Sequence, residues 1–354
     1  MSIDETKLEE LVENAITDIG AVSYAPLAVV GDRLDLFDAL AKAGPLTPSE
    51  LADRTDTHER YVREWLAASA AGEYVTYDAE TDRYDLSPEQ ELLLTDSAFP
   101  EPLLLGMFQM AASAGNALPN IERGFRTGEG VGWHEHDDGV FEGMMRTSQF
   151  GFHEHLVSDW IPALDGVEES LQEGARVADI GCGQGESTIV MAEAYPESTF
   201  VGYDLHDESL AAARERAAEA GVSDRVDFEV AKAKEFGGNG YDLVTTFDCL
   251  HDMGDPVGVA EHIRETIADG GTWMIEEPLS GEEMLENLNP KGRMLASFST
   301  MLCTPNALDQ EGPHALGALA GESQIRDVVT EAGFSHFRKA TETPPLDVVF
   351  EAKP

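Results

Sequence analysis

The chain has 354 residues and a formal net charge of −45, from 23 basic and 68 acidic side chains. That length allows two domains, no run of 18 apolar residues is present to cross a bilayer, and so large a negative charge disfavours polyanionic partners. Cys182, Cys249 and Cys303 are far apart without C-x-x-C spacing, which argues against a zinc ribbon or a disulfide framework, and the acidic, polar stretch Met1 to Glu10 reads as the start of a cytoplasmic protein rather than a leader.

The helical spacing of Leu27, Val30, Leu34, Phe37 and Leu40 predicts helices over 5–20 and 23–42. Thr47-Pro48-Ser49-Glu50 is a capping box with proline at the first helical position, opening a short helix that ends near Arg54. Thr57 then caps a helix over 58–71 that turns Tyr61, Trp65 and Leu66 inward. Strand-like pieces at 74–77 and 83–86 flank a polar turn. Helix, turn, helix and hairpin make a winged helix, and residues 1–100 form that domain.

Residues 101–171 read as a mostly helical linker and lid. Met107, Met110, Met144 and Met145 suit a helical core, and the stretch from Trp133 to Trp160 reads as the lid. His-Glu-His occurs at 134–136 and again at 153–155. Histidine clusters invite a metal, but without cysteine partners no metal site is expected.

Residues 172–354 alternate strand and helix, with strands near 176–180, 199–203, 226–230, 241–247 and 272–276, then a final pair at 336–341 and 346–352. That is an α/β, doubly wound sheet. Its first strand runs into Gly181, Gly183 and Gly185, whose missing Cβ atoms let a ligand lie on the backbone before a helix start with free N–H groups. A dinucleotide loop reads G-x-G-x-x-G; this one reads G-x-G-x-G with Asp179 two residues ahead, which repels an anion and welcomes a cationic or amino-bearing ligand.

The Asp-x-Gly-x-Gly-x-Gly run resembles the first motif of class I S-adenosylmethionine-dependent methyltransferases. Asp204, at the end of the next strand and nineteen residues past Gly185, resembles the acid that accepts the ribose hydroxyls. The resemblance implies a seven-stranded methyltransferase sheet, S-adenosyl-L-methionine as cofactor, and cofactor contacts at Asp179, Gly181, Gly183, Gly185, Asp204, Leu205 and Asp248. Leu250-His251-Asp252-Met253 resembles the Leu-His-Asp-Trp of plant-type O-methyltransferases. It implies His251 as general base with Glu277, at the end of the fifth strand, as its orienting carboxylate; a one-residue slip would select Glu276. The acceptor is then a small molecule bearing a hydroxyl, held in part by Asn287, Phe298, Met301 and Asn306. Lys232 and Lys234 stand where the family offers an acid near the adenine, and Glu322 lies near the place of a second glutamate.

A rival reading is a DNA-binding regulator that senses S-adenosylmethionine. Between Pro45 and Ser87 ten acids face four arginines, a net of −6, so nucleic acid is not an expected partner. Transfer to nitrogen or carbon is a further alternative, disfavoured by His251. Plant-type relatives dimerise through the winged helix, and a homodimer is expected here. The charge, with 16 arginines to 7 lysines, resembles proteins of salt-accumulating halophiles.

Overall fold

The computed structural model describes residues 3–96 and 102–354. Two compact units are present, Met1–Asn116 with Asp137–Phe150, and Ala117–His136 with Gly151–Pro354.

In the first unit a continuous helix, Glu5–Arg33, replaces the expected pair. Ala21-Val22-Ser23 contains no breaker, and Pro26 is absorbed within the helix; the break comes instead at Asp35, which takes a left-handed φ of 54° before the helix Leu36–Ala43. The helix Pro48–Thr55 carries its capping box, with Glu50 N–H on Thr47 Oγ1 at 3.3 Å and Thr47 N–H on the Glu50 carboxylate at 2.9 Å. The next helix, Glu59–Ala71, is capped by His58 in place of Thr57, the imidazole Nδ1 accepting from Arg60 N–H at 3.2 Å.

Strands β1 (Thr76–Asp78) and β2 (Arg83–Asp85) pair antiparallel as the wing. Leu40, Leu51 and Leu66 are fully buried beneath them, each contributing about 1.5–3 kcal/mol of burial. The Trp65 indole donates to Leu27 O at 2.9 Å, and a Cβ on Gly31 would meet its ring at 2.5 Å. The C-terminal half of the long helix is thereby pinned to the winged helix. Its N-terminal half leaves Leu11, Ile16, Ile19 and Val22 between 65 % and 74 % exposed. The helices Leu103–Ala114 and Asp138–Gly151 cross closely at glycines, where a Cβ on Gly143 would lie 2.5 Å from Met110 N.

The second unit is built on seven strands: β3 (Arg176–Ile180), β4 (Thr199–Asp204), β5 (Val226–Val230), β6 (Tyr241–Phe247), β7 (Ile267–Pro278), β8 (His336–Thr343) and β9 (Asp347–Lys353). They lie in the order β5-β4-β3-β6-β7-β9-β8, the first five parallel and β9 antiparallel to both of its neighbours, β7 and β8. Both faces are covered by helices, so the central strands are apolar on both sides. Ala178, Val244 and Ile275 pack into one layer, and Val177, Leu243 and Met274 into the other. The chain leaves β3 outward through β4 and β5 and returns to β6 on β3's other side. That reversal opens a crevice at the carboxyl ends of β3 and β6, the place where open α/β sheets bind ligands.

Candidate active site

The glycine loop follows β3 directly. Gly181, Gly183 and Gly185 have φ of 77°, 52° and 79°, a left-handed run that residues with a Cβ resist. Gly181 and Cys182 N–H donate to Tyr203 O at 2.8 and 3.1 Å, anchoring the loop to β4. The glycines have different reasons to be bare. A Cβ on Gly185 would sit 2.6 Å from Phe228, whereas one on Gly183 would meet nothing within 4 Å. Gly185 is required by packing, and Gly183 borders open space that a ligand can use.

Asp179 is placed differently from the sequence expectation. It is buried, with Oδ2 accepting from Ser187 and Thr188 hydroxyls at 2.6 Å each and Oδ1 from Thr245 at 2.9 Å. Burial raises its pKa against these hydrogen bonds. The carboxylate therefore braces the loop against the following helix and β6, and a ligand on the outer side of the loop meets other groups first. The hydroxyls at 187, 188 and 245 come from two different elements, and no spacing in the sequence connects them to Asp179.

Asp204 closes β4 beside the loop. Its Oδ2 accepts from Gly183 N–H and its Oδ1 from His206 N–H, both at 2.9 Å. Each oxygen retains a second acceptor site. Leu205 follows, 62 % exposed, and Val230, paired in register with Asp204, is 53 % exposed. Apolar side chains bare beside a carboxylate suit a flat heterocycle joined to a diol. Lys234, in the loop after β5, is paired with Asp255 at 2.8 Å.

The second half of the site follows β6. Asp248 takes a left-handed φ of 47° and donates its N–H to Glu276 O at 3.0 Å, which turns the chain sharply into Leu250-His251-Asp252. His251 is buried, its Nδ1 2.6 Å from Glu277 Oε2, while Glu277 Oε1 accepts from Leu250 N–H at 3.0 Å. With both oxygens engaged, the carboxylate fixes the ring's orientation and leaves the Nε2 atom as the outer one. Burial would lower the His251 pKa, but the Glu277 carboxylate holds it well above the ordinary value. Glu276 points to the other face of β7, where burial, with Asp347 and Asp248 nearby, raises it well above the usual carboxylate range. Asp248 keeps 45 % of its side chain open to solvent. Even so, desolvation in the cleft, with Glu277 and Asp347, pushes it up to about 7.

Asp252 is a clamp. Its Oδ2 accepts from the Trp133 indole at 3.1 Å and from Asn306 Nδ2 at 3.1 Å, and its carbonyl accepts from Gln310 at 3.1 Å. Burial pushes its carboxyl up to about 6. Of the other candidate acceptor contacts, Asn306 is brought to the base's neighbour, while Met301 packs on Ile121 and Val131. Asn287 folds its amide back onto Gly281, and Glu322 pairs with Arg326. The histidines of the second His-Glu-His each face a carboxylate, His153 on Glu186 at 2.6 Å and His155 on Asp159 at 2.9 Å. Sequence reasoning gave Asp252 no role, and its adjacency to His251 was the available signal.

Residues 171–333 match the family described as "Methyltransferase domain". This stretch of the chain is a methyltransferase domain. Ahead of it, residues 22–96 match the "Rv2258c-like winged HTH domain". A ubiquinone biosynthesis O-methyltransferase of Bordetella avium is 34 % identical over 141 residues, 39 % of this chain and 52 % of that protein. A 27-O-demethylrifamycin SV methyltransferase of Amycolatopsis mediterranei is 36 % identical over 28 % of this chain and 38 % of its own. The chain thus spans about half or less of the length of these two relatives. Among solved structures, human N-acetylserotonin methyltransferase in complex with SAM aligns at a TM-score of 0.73 and 18 % identity, over 100 % of this chain and 99 % of its own. Mitomycin 7-O-methyltransferase aligns at 0.71 and 20 % identity, over 99 % and 100 %. At those identities the methyltransferase domain shares their fold.

Proposed function

We propose that the protein is an S-adenosyl-L-methionine-dependent methyltransferase acting on a hydroxyl of a small acceptor. The observation that carries this reading is the juxtaposition, at one sheet switch, of a left-handed glycine loop tied to Asp204 and a buried imidazole held by Glu277. Gly181, Gly183, Gly185, Asp204 and Leu205 are the proposed cofactor contacts, with Asp248 at the methionine side. Asp179 acts behind them through the hydroxyls it binds. When bound, the cofactor supplies a methyl on a sulfonium, already activated for in-line displacement.

His251 receives the acceptor's proton at Nε2, and Glu277 stabilises the imidazolium that results. Asp252 holds Trp133 and Asn306 over the approach, excluding water and aligning the oxygen. Asp248, Asp252 and Glu277 make the site acidic, so a neutral or cationic acceptor fits and an anionic one is repelled. Two of the curated relatives, the ubiquinone biosynthesis O-methyltransferase and the 27-O-demethylrifamycin SV methyltransferase, are named for transfer to oxygen, which supports the same choice of atom. No metal enters this chemistry.

The apolar stripe of the N-terminal helix supports a homodimer, and the charge supports a cytoplasm of high salt. A DNA-binding role for the winged helix has the local net charge against it.

Calorimetry in molar salt tests the cofactor half. Wild type binds S-adenosylmethionine, and Asp204→Ala weakens binding by about 1.5–3 kcal/mol through loss of two charge-assisted hydrogen bonds. Unchanged affinity would remove Asp204 from the site.

A further inference from the structure

We infer that His136 is the second polar contact for the acceptor: its imidazole hydrogen-bonds an oxygen carried on the far side of the acceptor from the hydroxyl that is methylated, so that the site selects planar aromatic compounds with two oxygen functions. The inference rests on the methyl-transfer reading above and names the acceptor's class within it.

Among the described residues two histidines are buried, His136 at 8 % exposure and His251 at 3 %. They differ in what they touch. His251 is held by Glu277 at 2.6 Å, whereas neither ring nitrogen of His136 meets a hydrogen-bond partner among the described residues. Even the more exposed His153, His155 and His262 each reach one. Folded proteins seldom bury an imidazole unpaired, because each unmade bond costs the desolvation of its nitrogen in full. A ligand that supplies the partner recovers that cost on binding.

The chain around His136 shows where such a ligand lies. The His136 N–H donates to Trp133 O at 3.0 Å, closing the single turn Trp133–Glu135, and its ring stands beside the Trp133 indole with centroids 5.9 Å apart. That indole spends its N–H on Asp252, next to the base, and offers an apolar face. The segment is held firmly. Val131 N–H donates to Pro305 O at 3.0 Å, and a Cβ on Gly130 would lie 2.0 Å from Asp309 N, so the backbone is pressed against the helix Thr304–Asp309 that brings Asn306 to Asp252. From the base outward the order is polar at His251, apolar at Trp133 and polar at His136. A ligand matching that order carries a hydroxyl, a flat apolar body and a second oxygen. Burial lowers the His136 pKa against the pull of Glu135. The neutral ring then has one N–H to give and one lone pair to accept with, which suits a second hydroxyl or a carbonyl.

Two measurements on the full-length protein in molar salt test this. Thermal melts of His136→Phe and His136→Leu are expected to leave Tm unchanged or raised in at least one of them, since an apolar side chain buries no unpaired nitrogen; a fall of several degrees in both would show an imidazole that serves the fold, and would overturn the inference. Calorimetry with saturating S-adenosylhomocysteine compares 2,6-dihydroxynaphthalene with 2-naphthol, which lacks the second oxygen. Wild type should prefer the diol by about tenfold or more, His136→Phe should lose the preference, and His136→Gln, with a donor and an acceptor of its own, should keep most of it. Equal affinities in wild type, the result if water alone pairs with His136, would overturn the inference, as would an unchanged preference in His136→Phe or binding of neither compound. If wild type binds no S-adenosylhomocysteine, the methyl-transfer reading fails, while the melts and the two naphthols titrated without cofactor still decide the role of His136.

Discussion

His251 is enclosed by carboxylates, and its behaviour follows from that. As the proposed general base, its removal in His251→Ala is expected to cost about 10²- to 10⁴-fold in turnover, with cofactor affinity nearly unchanged; a histidine that only supports the fold would lose stability and cofactor binding together. Because Glu277 holds the imidazole pKa above its ordinary value, kcat/KM should fall as pH drops through a value above about 6.5. In Glu277→Gln that acid limb should move to lower pH as the plateau falls, and an unshifted limb would separate the carboxylate from the titration. At this scale the sequence was partly readable. His251 and Glu277 end neighbouring strands, so topology brings them together. Asp179 looked like a ligand because a motif records position and says nothing of which way a side chain turns; three hydroxyls decided that.

At the scale of elements, the glycine loop separates two costs. Gly185→Ala places a methyl 2.6 Å from Phe228 and strains a φ of 79°, so it should destabilise by more than the ~1 kcal/mol of left-handed strain. Gly183→Ala, with open space around it, should cost about that strain in stability and lose cofactor affinity instead. Thermal melts paired with calorimetry read both, and the reverse ranking of stability losses would refute the division. The strands along the chain, the wing and the capping box were legible because each rests on local chemistry: a period, a turn, a Thr-x-x-Glu. The break in the first helix was misplaced because it is set by Asp35 adopting a left-handed turn, a conformation that aspartate tolerates and does not announce.

For the whole molecule, charge governs stability. A net charge of −45 repels itself over a Debye length of about 10 Å at 0.1 M salt and about 3 Å at 1 M, so Tm should climb by several degrees between those concentrations. A flat response would remove the salt-adapted reading. The acids near the base add a pH term of definite sign. Asp248, pushed to about 7, and Asp252 and Asp347, each to about 6, bind protons more tightly folded than unfolded. Their stabilisation is complete below about pH 4 and is lost as pH rises through 6 to 7. At fixed molar salt, Tm should therefore increase from pH 8 to pH 5.5. The exposed stripe of the first helix predicts a dimer by light scattering, made monomeric by Ile16→Asp with Ile19→Asp; a monomeric wild type would end that proposal.

The path of the chain between its two units carries one more consequence. It passes from one to the other at 116/117, at 136/137 and at 150/151. Neither unit is a single stretch of gene, and the segment that delivers Trp133 to Asp252 is bounded on both sides by residues of the other unit. No single protease nick can release either unit whole, and a truncation that keeps only the matched methyltransferase stretch leaves behind a piece of its own candidate site.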